Sequence, residues 1–112
     1  MDPLEILKTL VSIPSVNPMG RDLSGPEYFE TRVSDWLCEF FSEREIAHER
    51  IEVVPGRANV IARVDAGSDR PTIVLDAHQD TVPVVGMTID PFDPVIRDGK
   101  IYGRGACDVK GG

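Results

Sequence analysis

Thr72-Ile73-Val74-Leu75-Asp76-Ala77-His78-Gln79-Asp80 is the stretch on which the reading of this chain turns. Its first four residues form a short, continuous apolar run, the pattern of a strand buried on both faces of a sheet. That reading puts His78 just past the carboxyl end of a central strand, where open α/β sheets hold their ligands. Residues i and i+2 of an extended segment point the same way, so the Asp80 carboxylate can approach the ring of His78. A carboxylate there takes the proton of one ring nitrogen and leaves the other as a lone pair for a metal. A histidine at a strand end also has a plainer reading, as a hydrogen-bonded structural residue.

Upstream, Asp2 followed by Pro3 reads as an N-cap with proline at the first helical position, and Leu4, Leu7, Leu10 and Val11 recur at helical spacing. The helix is expected to stop near Ser12, before Pro14, and 15–25 to form a loop. Ser24-Gly25-Pro26-Glu27 has the spacing of a capping box, and Phe29, Val33, Trp36, Leu37, Phe40 and Phe41 make one apolar stripe, predicting a helix over 26–44 with a core-facing aromatic side. The period then changes. Ile51 and Val53 flank Glu52, Pro55-Gly56 turns, and Val60, Ala62 and Val64 alternate, predicting two antiparallel strands. A polar turn over 67–71 leads into the apolar run. His48, among Glu49 and Arg50, reads as a solvated surface histidine.

Downstream, 83–94 is loop-like, and Val95-Ile96-Arg97 with Lys100-Ile101-Tyr102 around Asp98-Gly99 predicts a hairpin. A second polar cluster centres on Asp108, after Gly103-Arg104-Gly105, where missing side chains allow tight turns. One carboxylate can bridge two cations held about 3.5 to 4 Å apart; an isolated Asp after glycines is equally readable as a helix N-cap. Lys110 is not a phosphate-loop lysine, because no Gly-Lys-Ser/Thr ending follows it. Cys107 reads as a small buried thiol. The sequence ends at Gly112 without a closing element, which reads as a cut C-terminus.

With 112 residues the chain fits one domain, over 1–112. A formal charge of -7, with no basic cluster interleaved with aromatics, argues against a nucleic-acid surface. No apolar run is long enough to span a membrane, and the start, from Met1, lacks the pattern of a secretory signal. Two cysteines without a CxxC fit a reducing, cytoplasmic setting.

Taken in order, 74–83, then Pro91-Phe92-Asp93-Pro94, then 98–112 resemble the M20 metallopeptidase family, within it the acetylornithine deacetylase and succinyl-diaminopimelate desuccinylase group. Ser12-Ile13-Pro14-Ser15-Val16-Asn17-Pro18 is similar to that family's opening loop. The resemblance implies an α/β fold: a mixed sheet flanked by helices, the N-terminal part of a zinc-peptidase-like catalytic domain whose smaller lid domain is absent here. It implies two divalent metal ions, zinc or cobalt, with His78 a terminal metal ligand, Asp108 the bridging metal ligand, and Asp80 the catalytic residue that orients His78. The general-base Glu and the remaining ligands would lie beyond Gly112. The activity implied is hydrolysis of the amide bond of an N-acyl amino acid by a metal-activated water, in a full-length protein that forms a homodimer. Alternatives are a dipeptidase or carboxypeptidase acting on a short peptide, and a non-catalytic metal-binding or interaction fragment. On this reading the chain alone is inactive, poorly soluble or marginally stable.

Overall fold

A computed structural model describes residues 2–67 and 69–112. Helix α1 spans Pro3–Ser12. Asp2 caps it by accepting from the Leu4 amide at 3.0 Å, which satisfies one of the donors a helix start leaves orphaned. Its inner face ends on Val11, which is fully buried.

Helix α2 spans Thr31–Ser42, starting five residues later than the sequence predicts. The backbone that a capping box at 24–27 would have wound into helix is used elsewhere. Val16 N donates to Glu27 O at 2.8 Å and Phe29 N to Val16 O at 3.0 Å, drawing this segment into a parallel bridge with the loop after α1. Phe29 is held at φ 66°, a left-handed conformation that no helix can pass through. The residue at the true N-cap, Glu30, makes no capping bond; its carboxylate is bound by Arg57 instead. Within α2, Val33 is buried while Trp36, Phe40 and Phe41 are half-buried, with successive ring centroids 5.0 and 5.6 Å apart.

Strands β1 (Ala47–Val54) and β2 (Arg57–Arg63) pair antiparallel about Pro55-Gly56, as the sequence predicts, with a bulge between Glu52 and Val54. Gly56 sits at φ 77° in the turn. Helix α2 packs on this hairpin. His48 is half-buried rather than solvated: its Nδ1 lies 2.9 Å from Ile46 O and its ring centroid 5.9 Å from that of Phe41. Arg70 N donates to Gly67 O across the expected turn at 67–71, of which Ser68 lies outside the described residues, as does Met1 at the start. Strands β3 (Val95–Arg97) and β4 (Lys100–Tyr102) form the predicted second hairpin. Asp98 at φ 53° and Gly99 at φ 71° make the turn whose twist suits a two-residue hairpin loop.

The sheet departs from expectation. Among the described residues there are two separate two-stranded antiparallel sheets rather than one mixed sheet, and 72–75 is not a strand. Ile73, Val74 and Leu75 are 80, 81 and 93% exposed. An apolar run becomes a buried strand only when strands pair with both its edges and layers cover both its faces. Among the described residues none does.

The core is accordingly small: Val11, Val16, Val33 and Ala58 are the buried apolar side chains among the described residues. It lies where the end of α1, the loop 15–18, the start of α2 and the segment 79–81 meet. No helix among the described residues is long and apolar enough to cross a membrane.

Candidate metal centre

Three extended pieces of backbone build this centre. Val16 forms parallel bridges with Tyr28 on one side and Thr81 on the other. Thr81 N donates to Ser15 O at 2.9 Å, and Asn17 N to Thr81 O at 2.8 Å. The Ser15 hydroxyl donates to Gln79 O at 2.7 Å. Gln79 is held at its side chain too, accepting from Ser34 Oγ at 2.9 Å and donating to Ala58 O at 2.8 Å. Residues 79–81 are thus fastened to a helix, a strand and a loop, and the groups on either side of Gln79 inherit that fixity.

His78 and Asp80 flank it. The Nδ1 atom of His78 lies 2.9 Å from the main-chain oxygen of Asp80 and 3.2 Å from its Oδ1, so Asp80 orients the ring with two oxygens. On the other edge, Nε2 lies 2.9 Å from Asp108 Oδ1. The imidazole sits between two acidic residues, and its pKa is raised, first by the hydrogen bond to Asp108, then by that to the Asp80 carbonyl and by both charges. Asp108 is 86% exposed and the His78 ring 50%, and His78 and Asp80 line an open cleft of about 750 Å³. Glu30, Arg57, Gln79 and Val109 also line that cleft.

The Asp108 loop is held from behind. Lys110, buried beneath α1, donates to Leu10 O at 2.8 Å and Ile13 O at 2.6 Å, carbonyls at the end of the helix that a cation suits. Burial pushes its pKa down to about 8. A Cβ on Gly105, at φ 84°, would meet Thr81 Cγ2 at 2.9 Å, so this position needs glycine for both conformation and space. Residues 109–111, after Asp108, form turns, and Cys107 is exposed rather than buried.

A second charged layer lies beneath. Arg57 grips Glu30 through Nε at 2.9 and 3.1 Å and through a terminal nitrogen, and approaches Asp80 Oδ2 at 4.0 Å. Glu30 is only 6% exposed, and this guanidinium neutralises it. Glu30, Arg57, Asn17 and the Gln79 anchor were not singled out from sequence, because nothing in local spacing links residues so far apart.

His78, Asp80 and Asp108 are therefore neighbours in space. The first and last supply an imidazole nitrogen and a carboxylate oxygen, both donors that zinc takes, and they face each other. A catalytic zinc takes three protein ligands. Among the described residues no group of three or more His, Cys, Asp or Glu side chains is arranged to hold a metal ion, so the donors present fit part of a centre and not the whole.

Comparison with known proteins bears on what that part belongs to. Residues 74–112 match the model of peptidase family M20/M25/M40. Succinyl-diaminopimelate desuccinylases are similar across nearly the whole chain. That of Xanthomonas euvesicatoria pv. vesicatoria is 56% identical over 98% of the chain and 27% of its own length. That of Beijerinckia indica is 37% identical over 96% of the chain and 27% of its own length. An N-formyl-4-amino-5-aminomethyl-2-methylpyrimidine deformylase of Bacillus subtilis is 27% identical over 97% of the chain and 25% of its own length. The chain spans about a quarter of the length of these curated relatives. The motif around His78 and Asp108 lies inside the segment that matches the model of peptidase family M20/M25/M40.

Proposed function

We propose that the protein carrying this chain is a metal-dependent hydrolase of the amide bond in an N-acyl amino acid, of the deacetylase or desuccinylase type. The observation that carries the reading is the His78 ring, oriented by Asp80 on one edge and presented to Asp108 on the other. Relatives named as desuccinylases and as a deformylase, both acyl-removing, support the reaction class.

His78, through Nε2, and Asp108 would hold the metal, with Asp108 as the bridge between two divalent ions, zinc or cobalt. When bound, these supply Lewis acidity that activates a water and polarises the substrate carbonyl. The chain's own residues have simpler tasks. Asp80 keeps the Nδ1 proton engaged, so that Nε2, which here faces Asp108 as a hydrogen-bond donor, would be the nitrogen that gives up its proton to coordinate. Glu30 and Arg57 fix the floor of the cleft in which the acyl group is to lie. Gln79, tied at main chain and side chain, would keep the backbone beside His78 from rotating the ring away. The proton-transferring base is not among these groups, and we read the chain by itself as inactive. We further propose a cytoplasmic enzyme, which unpaired Cys38 and Cys107 suit, and a homodimer, to be checked by sedimentation velocity.

Chelator treatment of the full-length protein is expected to abolish hydrolysis of N-acetyl and N-succinyl amino acids, and zinc to restore it. Hydrolysis indifferent to chelation would sink the reading. Asp108→Ala is expected to abolish zinc binding and Asp80→Ala mainly to lower turnover, on the order of 10- to 100-fold. Equal metal content and equal rate in both variants would refute those roles. Dipeptide hydrolysis exceeding acyl-amino acid hydrolysis would favour the dipeptidase or carboxypeptidase alternative.

A further inference from the structure

We infer that Asn17, in the loop after α1, is a positioning residue for the centre: it holds the Asp80 carboxylate in the orientation that presents Oδ1 to His78. This deepens the proposed function and rests on it for its catalytic consequence, but not for its geometry.

Three observations carry it. Asn17 Nδ2 donates to Asp80 Oδ2 at 2.7 Å, a contact between residues 63 positions apart. The amide has no freedom to turn over, because its Oδ1 accepts from the Met19 amide at 2.8 Å and so leaves the nitrogen as the end that faces Asp80. The backbone beneath is pinned as well, since Asn17 N donates to Thr81 O and Val16 is bridged on both sides. Asn17 is therefore a prearranged donor aimed at one carboxylate oxygen.

Geometry explains why a donor is needed there. Arg57 also approaches Oδ2, at 4.0 Å, but its guanidinium is occupied by Glu30. Asp80 without Asn17 would have a charged neighbour to swing toward and nothing to hold Oδ1 at 3.2 Å from the ring. A neutral amide fixes the carboxylate without neutralising it, so its negative charge stays available to the imidazole edge. The chain of contacts runs Met19 N, Asn17, Asp80, His78, and each link uses a different atom.

The test is a double-mutant cycle in the zinc-loaded, full-length protein. Asn17→Ala is expected to lower kcat by about tenfold with KM within about twofold, and to cost less than about twofold in an Asp80→Ala background. An equal loss in both backgrounds would mean that Asn17 merely shapes the Met19 turn, and would overturn the inference. If Asn17→Ala does not fold, Asn17→Asp takes its place, since it keeps the oxygen that accepts from Met19 and replaces the donor with a like-charged oxygen facing Asp80; a silent Asn17→Asp likewise overturns it. The contact is also read without activity. In the metal-free protein the Asn17 side-chain amide proton resonance is expected to move on Asp80→Ala, and an unmoved resonance overturns the inference whatever the enzyme does. A wild-type protein that neither binds zinc nor hydrolyses acyl-amino acids sinks the proposed function, and the amide resonance then decides the Asn17 contact separately.

Discussion

Two neighbouring stretches, 72–77 and 79–81, differ more in their surroundings than in their residues. The first is the more apolar, yet Ile73, Val74 and Leu75 stand in solvent. The second is the more polar, yet Thr81 is buried and Gln79 is tied at both its main chain and its side chain. Hydrophobicity gives a segment a reason to be covered, but only a partner with the right edge or face covers it. Ser15, Val16 and Asn17 offer residues 79–81 a backbone edge in register, and the described residues offer 72–77 nothing comparable. The centre is rigid where it is pinned from behind and open where His78 lines the cleft and Asp108 stands in solvent.

Breaking the pinned side should cost most. Gly105→Ala puts a left-handed Cβ against Thr81, and we expect a loss of about 2 kcal/mol in denaturant unfolding. Lys110→Met deletes two charge-assisted bonds to the end of α1, at Leu10 O and Ile13 O, for about 1 to 2 kcal/mol, and should loosen the Asp108 loop with it. Glu30→Gln keeps the shape but weakens the grip on Arg57, costing about 1 kcal/mol because Arg57 is partly exposed. On the open side, Leu75→Ser is expected to change stability by less than about 0.5 kcal/mol in this chain while reducing its self-association. A loss above about 1.5 kcal/mol there would show the run to be covered in solution and would erase the contrast. Hydrogen exchange sharpens the comparison without mutation: the amides of Val16 and Thr81 should be protected and those of 73–76 should exchange at near-coil rates.

Helix α1 and the two hairpins were readable because their causes are local. An N-cap bond spans two residues, the turns take their left-handed positions at Gly56 and at Asp98-Gly99, and all leave marks in adjacent letters, Asp2-Pro3, Pro55-Gly56 and Asp98-Gly99. The start of α2 was misread because a correct local signal, Ser24 to Glu27, lost to a distant one. Val16 took the backbone groups that the first turn would have used. The proximity of His78 to Asp80 follows from a spacing of two, whereas that of Asp108 rested on resemblance and is a contact over thirty positions.

The sequence by itself determined helix α1, the two hairpins and the residue kinds able to bind metal, because capping, turn chemistry and donor chemistry act within a few residues. Only the tertiary structure decided that Asn17 holds Asp80, that Glu30 answers to Arg57 rather than to a helix start, and that 72–75 stays uncovered. Each of these depends on which distant groups arrive at one place, and a hydrogen bond or a buried face is satisfied by whatever partner arrives, not by the letters beside it.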